Sequence, residues 1–330
     1  MKSNIAKLIE IVKRLPEKAV NELLELAEIK KQESDKEEEK AVPKCPHCDA
    51  GEVVKNGKGH GKQTYLCRCC GKSFTKTTQT IMENSHSGEA VWKDVIRDTI
   101  EGVPIDTTAE NLDLHHETVF NMRHKILCCL EQEQAQNPIQ IIGVCEADET
   151  YLLESFKGKK FTEDADRKPR KHGAVASKSG ISDEYICICT ATQRGGAAIA
   201  VPVCKSQPTS EDISAVFAGR VTPDTLIVCD GAKAYDTLEK NGNCSIIHIA
   251  EGTEGFKNIN TVNGYHSFIK ERNRNARGFA TKYLGRYSAL FSLAYNITDF
   301  IINDIYKMLC DMNNRYNTIA NSQSEGLFAA

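Results

Sequence analysis

The sequence predicts a multidomain protein in which N-terminal helices, a small cysteine-rich module and a helical segment precede an α/β domain with a mixed sheet. Three observations support this fold class. The chain has 330 residues, a length that corresponds to two or three domains. Two Cys-x-x-Cys pairs occur within residues 45–70. From residue 139 onwards, apolar strand-like runs alternate with helical segments, which is typical of an α/β domain.

Composition narrows the class of protein. With 40% hydrophobic and 26% charged residues, the chain is of the globular type. No apolar run reaches the roughly 18 residues that a membrane span needs, and charges interrupt the apolar stretches at the N-terminus, so no signal peptide is expected. We therefore expect a cytoplasmic protein, in which the 14 cysteines are thiols or metal ligands rather than disulfides.

Residues 1–43 are predicted to form a helical lead followed by a charged linker. Apolar residues recur at helical spacing between residues 4 and 30. The run ESDKEEEKAVPK at residues 33–44 is too highly charged to form a buried core, so it is predicted to be a solvated linker.

A zinc ribbon is predicted at residues 44–82. Cys45 and Cys48 form one pair, Cys67 and Cys70 form a second, and 18 residues separate the two pairs. This spacing is typical of a structural Zn²⁺ site, in which each pair supplies two thiolates to a tetrahedral ion. Cys69 is interpreted as a bystander. The loops of this module are basic, so we expect the ribbon to touch DNA.

Residues 83–138 are predicted to be a helical, helix-turn-helix-like DNA-binding segment. A short helix at 107–112, a tight turn and a longer helix at 115–130 give the outline of this motif. An ordinary helical bundle is the alternative, and the acidic net charge of the segment favours it. The segment has one cluster of cations, at Arg123, His124 and Lys125.

The α/β domain is predicted to span residues 139–305, with a helix end and tail at 306–330. Asp148 and Asp230 each follow an apolar run that is expected to be a buried strand. A carboxylate in such a place is costly unless it is paired or binds a metal. If the two strands are neighbours, the carboxylates converge on one point, and their oxygens suit Mg²⁺ or Mn²⁺. The alternative is that each Asp caps the turn after its strand.

A basic helix is predicted to follow these strands. Asn263, His266 and Lys270 are spaced i, i+3 and i+7, so they share one helical face. A helix with a metal ligand at one end and cations further along could hold a DNA strand over the metal ions. The alternative is a solvated basic helix that closes the domain. The cations that follow are Arg272, Arg274 and Arg277.

The net charge of −3 hides two basic segments. Residues 44–82 carry a net charge of +5, and residues 256–330 carry +4. Because phosphate backbones respond to local charge, the acidic total does not argue against DNA as a partner.

Several sequence blocks resemble those of the ISXO2-like group of bacterial insertion-sequence transposases. The resemblance covers roughly residues 44–300, and the blocks occur in the order of that family. They are CPHC, CRCCGKSF, TQTIMENS, EADETYL, CDGAKAY and VNGYHSFIKERNRNARGFATKYLGRYSALF.

The resemblance implies a zinc ribbon, a helical DNA-binding segment and an RNase H-like catalytic core. It implies a DDE-type site in which Asp148, Asp230 and Asn263 hold two Mg²⁺ or Mn²⁺ ions. Many relatives have Glu at the third position. Asn offers a neutral oxygen that can bind a metal but adds no charge, so Asn260 and Glu254 stay open as competitors.

The resemblance further implies the reaction and its partners. The enzyme would cut at the ends of its element and transfer the freed 3′-OH into target DNA. Its partners would be terminal inverted repeats, target DNA and a second copy in a homodimer or larger synaptic assembly, with no membrane. We expect it in the cytoplasm, associated with the nucleoid. Lys270 would clamp a phosphate near the scissile bond, and the further DNA contacts expected are His266, Arg272, Arg274 and Arg277.

Two other functions compete with this one. A zinc-ribbon and helix-turn-helix regulator without catalysis would explain residues 44–130, but it leaves Asp148 and Asp230 without a role. An RNase H-like nuclease that cuts without joining shares the metal site.

Overall fold

The computed structural model describes residues 42–59, 61–158, 175–249, 258–276, 278–297 and 302–311. The chain divides into two units, Met1–Thr78 and Gln79–Ala330. The predicted helix at 4–30, most of the charged linker, Glu254 and Arg277 lie outside the described residues.

The described part of the first unit is a small antiparallel sheet. Its three strands lie in the order β1-β2-β3. Tyr65 stacks on Phe74 with ring centroids 5.6 Å apart, and both rings are buried beside Cys45 and Cys67. A core this small needs a further stabilising cross-link, which a bound metal ion can provide. The strands are β1 (Val53–Gly59), β2 (Lys62–Cys67) and β3 (Ser73–Thr75).

The second unit is built on a five-stranded mixed sheet with the order β6-β5-β4-β7-β8. Strands β4, β5 and β6 are antiparallel neighbours, whereas β7 runs parallel to β4 and β8 runs parallel to β7. This mixed sheet fits the RNase H-like domain that the resemblance implies. The strands are β4 (Val144–Leu153), β5 (Tyr185–Gln193), β6 (Ala198–Lys205), β7 (Leu226–Cys229) and β8 (Ser245–His248).

Helices cover both faces of this sheet. One face packs on the helices Ser210–Phe217 and Asp236–Lys240, and the other packs on the helices Asn260–Asn275 and Leu284–Asn296. Strand β5 is therefore buried on both sides, with alternate residues in the two cores. The helices are α1 (Glu89–Glu101), α2 (Ile105–Asn111), α3 (His116–Gln136), α4 (Ser210–Phe217), α5 (Asp236–Lys240), α6 (Asn260–Asn275), α7 (Leu284–Asn296) and α8 (Ile302–Asp311). None of the helices in the described ranges has the length and apolarity to cross a bilayer.

Local signals explain where these helices begin and end. Gly102 terminates α1 in the left-handed conformation, with φ of 80°, a conformation that glycine adopts at little cost. Thr209 begins α4 with a capping box, because it exchanges hydrogen bonds with Asp212.

The helix-turn-helix-like outline is present, but its cations face inward. Helices α2 and α3 are joined by a short turn in which Asp113 has φ of 50°. Arg123 and His124 are only 6% and 1% exposed, and Lys125 Nζ donates to the backbone oxygen of Glu83 at 2.8 Å. The cluster is internal because α3 packs against both α1 and α7. These three side chains are therefore not a DNA-reading surface, and α1–α3 share one core with the sheet.

Candidate functional site

The four predicted zinc ligands converge in the first unit. The metal-binding atoms of Cys45, Cys48, Cys67 and Cys70 all lie within 4.8 Å of one another. Cys45 Sγ is 3.6 Å from Cys70 Sγ, and Cys48 Sγ is 3.5 Å from Cys67 Sγ. Sulfurs about 2.3 Å from a tetrahedral zinc ion would lie about 3.8 Å apart, so the thiols fit such an ion. Cys69 is outside the cluster, as predicted.

The electrostatics of the cluster also suit a cation. The backbone N–H of Cys70 is the main group that lowers the pKa of the Cys67 thiol, to about 6. Thiolate is the form that binds metal, and the lowered pKa favours that form at Cys67. The cluster can hold one metal ion.

In the second unit, the sheet register brings Asp148 and Asp230 together. Strands β4 and β7 are parallel, and Ala147 pairs with Cys229. The next residue on each strand is therefore the aspartate, and neighbouring strands lie about 4.8 Å apart. The two carboxylates interact, since the charge of Asp230 contributes to raising the pKa of Asp148.

The prediction that Asp148 ends its strand is wrong. Strand β4 continues to Leu153 because its antiparallel pairing with β5 extends that far. What ends near Asp148 is the parallel pairing with β7, whose last residue is Cys229. Asp230 does follow the end of β7, and its Oδ1 accepts a hydrogen bond from Ala232 N at 3.1 Å, so it also caps the turn.

Asp148 lies in a poorly solvated place. Its side chain is 19% exposed, and burial is the main reason that its pKa rises from 3.8 to about 6. Asp230 raises this pKa further, while the N–H of Glu149 and the charge of Lys270 act in the opposite direction. A carboxylate with too little positive charge around it is suited to a metal cation.

Helix α6 packs against β4 and β5, with His266 on the side of Asp148. His266 Nδ1 is 3.9 Å from Asp148 Oδ2, and Lys270, one turn further, is close enough to affect the same carboxylate. Asn263 is exposed in the first turn of α6, one turn before His266. The three residues share one face of α6, and of these His266 and Lys270 interact with Asp148.

His266 is an interior residue rather than a DNA contact. It is 7% exposed, and burial lowers its pKa to about 4, so the imidazole is neutral. The Thr190 hydroxyl donates to the backbone oxygen of Asp148 at 2.7 Å, so it must accept from His266 Nε2 at 2.6 Å. This assigns the proton to Nε2 and leaves the lone pair of Nδ1 directed towards the Asp148 side.

The predicted basic contacts fall into three groups. Lys270 and Arg274 are exposed on α6. Arg272 is half-buried: its Nη1 donates to the backbone oxygen of Ile100 at 2.9 Å, and its guanidinium lies 4.9 Å from the Phe268 ring centroid. Arg272 therefore ties α6 to α1, while Lys270 and Arg274 are the cations available to a polyanion. Arg277 is outside the described residues.

Two further ionisable groups next to the carboxylates escaped prediction. Tyr235 donates from its hydroxyl to Glu149 Oε1 at 2.8 Å, and burial is the main cause that raises the pKa of Glu149 to about 7. His248 has a side chain 36% exposed. Its Nδ1 donates to Asp230 O at 2.7 Å, and its Nε2 donates to Asp236 at 2.6 Å. The first of these bonds is the larger cause of its raised pKa.

Comparison with known proteins identifies the domain that carries this site. Residues 140–296 match the model of the ISXO2-like transposase domain. The chain is also 24% identical over 255 residues to an uncharacterized protein in the transposable element ISH50 of Halobacterium salinarum, a match that covers 76% of this chain and 84% of that one.

Solved structures give weaker matches. A pre-cleavage Mos1 transpososome is 11% identical, with 69% of this chain and 74% of that chain covered and a TM-score of 0.25. The Mos1 strand transfer complex is 9% identical, with 73% and 75% covered and a TM-score of 0.28. Scores this low support no conclusion about the fold. The family model, in contrast, spans both aspartates and the basic helix: residues 140–296 match an ISXO2-like transposase domain, and the chain is a DNA transposase of the insertion-sequence type.

Proposed function

We propose that this transposase cuts DNA at the ends of its element and joins the freed 3′-OH to target DNA at the site formed by Asp148, Asp230 and Asn263. The observation that carries the proposal is the β4–β7 register, which brings Asp148 and Asp230 side by side at a strand against which α6 packs. Two carboxylates and an amide oxygen are hard ligands that fit Mg²⁺ or Mn²⁺. Two such ions, when bound, would stabilise the attacking and leaving oxygens of phosphodiester exchange.

The residues around the ligands have distinct parts in this proposal. Asp148 has a pKa of about 6, so it is ionised at neutral pH, and a bound cation would stabilise that ionised form. Asn263 supplies an oxygen without a third negative charge and takes no proton. His266, neutral and bonded to Thr190, keeps α6 against β5.

We assign the DNA-binding surface of the second unit to the exposed cations of α6. Lys270 lies nearest the carboxylates, where it would meet the phosphate that reacts, and Arg274 is one turn further along the helix. Both would neutralise backbone phosphates without reading bases. Arg272 would act indirectly, because its guanidinium is engaged with Ile100.

The first unit is proposed to be a zinc ribbon that binds the terminal inverted repeats. Its four thiols fit a tetrahedral zinc ion, and β1 presents exposed Lys55 and Lys58. Such an ion would stabilise a sheet whose core is too small to hold alone. Because two element ends must be cut and joined together, we further propose a homodimer or larger synaptic assembly.

A strand-transfer assay tests the proposal. Labelled oligonucleotides with the element ends are incubated with zinc-loaded protein, Mg²⁺ and target DNA. Asp148→Ala and Asp230→Ala should abolish cutting and joining while DNA binding persists, and Asp224→Ala, an exposed acid just before β7, should leave both intact. If either site variant cuts normally, the site is wrong. Cutting without joining would identify a nuclease, and binding without cutting a regulator.

A further inference from the structure

Glu146 is a buried carboxylate with an unusual set of partners. It lies on β4 two residues before Asp148, on the same face of the strand, and it is 0% exposed. A buried charge of this kind is tolerated only when its hydrogen bonds are satisfied. Its oxygens accept from Thr261 N at 2.7 Å, Thr261 Oγ1 at 3.0 Å, Val262 N at 3.1 Å and Arg194 Nε at 2.7 Å.

Three of these bonds come from the first turn of α6. The residue at the N-cap of α6 is Ile259, which has no side-chain acceptor, and no side-chain cap hydrogen bond is present there. The free N–H groups of Thr261 and Val262 are instead satisfied by a carboxylate from the neighbouring strand. Glu146 thus caps α6 from outside the helix and also opposes the positive end of its dipole.

Arg194 completes the arrangement from the other side. Its Nε donates to Glu146 Oε1 at 2.7 Å, and its Nη2 donates to the backbone oxygen of Asn258 at 2.8 Å. One guanidinium therefore neutralises the buried carboxylate and fixes the chain just before α6 begins. The pair holds both the segment that enters the helix and the first turn itself.

Two anchors on the sheet define the position of α6. The first is Glu146 on β4, bonded to Thr261 and Val262, and the second is Thr190 on β5, which pairs with Asp148 and accepts from His266 at 2.6 Å. From Thr261 to His266 a helix rises about 7.5 Å, and from residue 146 to 148 a strand rises about 6.6 Å. The helix therefore follows the strand, and Asn263 lies between the two anchors.

We propose that Glu146 and Arg194 are positioning residues that fix the first turn of α6 so that Asn263 presents its amide oxygen to the metal ions held by Asp148 and Asp230. This inference rests on the proposed role of Asn263 as a metal ligand. Glu146 binds no metal itself, because its oxygens are occupied by four donors. It acts through the helix that it caps.

A double-mutant cycle tests the inference. The affinity of zinc-saturated, DNA-free protein for Mn²⁺ is measured from the electron paramagnetic resonance signal of free Mn²⁺. Glu146→Gln keeps the shape but loses the charge, and it should weaken binding roughly tenfold, as is usual for groups that orient metal ligands. Asn263→Ala should weaken binding by at least as much. The double variant should bind no more weakly than Asn263→Ala alone, because both changes remove the same ligand.

Each other outcome has a definite meaning. If the two losses multiply, Glu146 does not act through Asn263 and the inference is overturned. If Asn263→Ala binds Mn²⁺ weakly while Glu146→Gln binds normally, the inference fails and the proposed ligand stands. If Asn263→Ala binds normally, the proposed ligand fails, and the inference fails with it.

Two further variants separate positioning from general stability. Glu184 is also a buried carboxylate, and it accepts from Ser177 N at 2.6 Å and Lys178 N at 3.1 Å in the loop before β5. Glu184→Gln should therefore lower the melting temperature without changing Mn²⁺ affinity. Thr261→Val removes one donor to Glu146 and leaves the buried ion pair intact, so it should fold even if Glu146→Gln does not. It should weaken Mn²⁺ binding a few-fold, and normal binding by Thr261→Val would count against the inference.

Discussion

Asp148→Asn should make the metal-free protein more stable while it abolishes catalysis. The pKa of Asp148 is raised from 3.8 to about 6, mainly by burial. A carboxyl group whose pKa is raised by folding favours the fold in its protonated form, so the native state loses stability as pH rises from about 4 to about 6 and remains less stable above. At 1.36 kcal/mol per pKa unit, the loss at pH 7.5 is about 3 kcal/mol. Asn has the same shape and cannot ionise, so the variant avoids this loss.

The assay follows unfolding of the second unit without interference from the first. Trp92 is the single tryptophan of the chain and is 0% exposed in the second unit, so its fluorescence reports that unit alone. Zinc-loaded protein free of Mg²⁺ is melted at pH 7.5 and at pH 4. Asp148→Asn should melt about 5–10 °C higher than wild type at pH 7.5, with little difference at pH 4. Added Mg²⁺ should stabilise only the wild type.

Asp183, whose pKa is shifted in the opposite direction, provides a control. Asp183 is an exposed acid 2.7 Å from Lys178 Nζ, and hydrogen bonding to that lysine is the main cause that lowers its pKa. Asp183→Asn should therefore leave stability unchanged or slightly reduced at pH 7.5. An Asp148→Asn protein that melts below wild type at pH 7.5 would refute the claim that the ionised Asp148 carboxylate destabilises the metal-free fold. A variant that cuts DNA would refute the proposed role of Asp148 as a metal ligand.

Two further predictions concern the first unit and the DNA surface. Cys67→Ser should lose the bound zinc and expose residues 42–78 to proteolysis, whereas Cys69→Ser should keep about one zinc per chain. Elemental analysis measures the zinc content. Equal zinc in both variants would exclude the proposed ligand set. Lys270→Ala and Arg274→Ala should each reduce, by about 1, the magnitude of the slope of the logarithm of the DNA-binding constant against the logarithm of salt concentration, for DNA of any sequence. Lys178→Ala, which removes an exposed lysine paired with Asp183, should leave the slope unchanged. An unchanged slope in the α6 variants would place the DNA elsewhere.

The parts of the molecule that could be predicted from sequence are those set by local rules. Ligand spacing in a Cys-x-x-Cys pair follows from the turn that holds it, so the cysteine cluster was predictable in full. The shared face of Asn263, His266 and Lys270 follows from helical periodicity alone. The outward or inward orientation of that face depends on the partner element, and periodicity does not specify it. His266 was therefore predicted correctly in its place on the helix and incorrectly as a DNA contact.

The remaining features depend on contacts between distant parts of the chain. The bond between Arg194 and Glu146 joins residues 48 positions apart, and the bond between Thr261 and Glu146 joins residues 115 apart. No local pattern marks such a pair. The extent of β4 beyond Asp148 likewise depends on β5, which begins more than thirty residues later. The burial of Arg123 and His124 follows from the packing of α3 against α7. The cations that are adjacent in the sequence therefore do not form an exposed basic surface.

The acidic groups along β4 are separated by their partners into different chemical roles. Glu146 is neutralised by Arg194 and directed to the end of α6. Glu149 accepts from the Tyr235 hydroxyl, and its pKa of about 7 leaves it partly protonated at neutral pH. Asp148 alone among these three has neither a salt bridge with a cationic side chain at bonding distance nor a hydroxyl donor among the described contacts, and it faces Asp230. The cation-attracting charge of the site is thereby concentrated in two carboxylates, and an Asn on α6 can complete a set of oxygens without adding a third negative charge that burial would disfavour. Asparagine at position 263 is in this view consistent with a working metal site, provided that the α6 cap holds it in place.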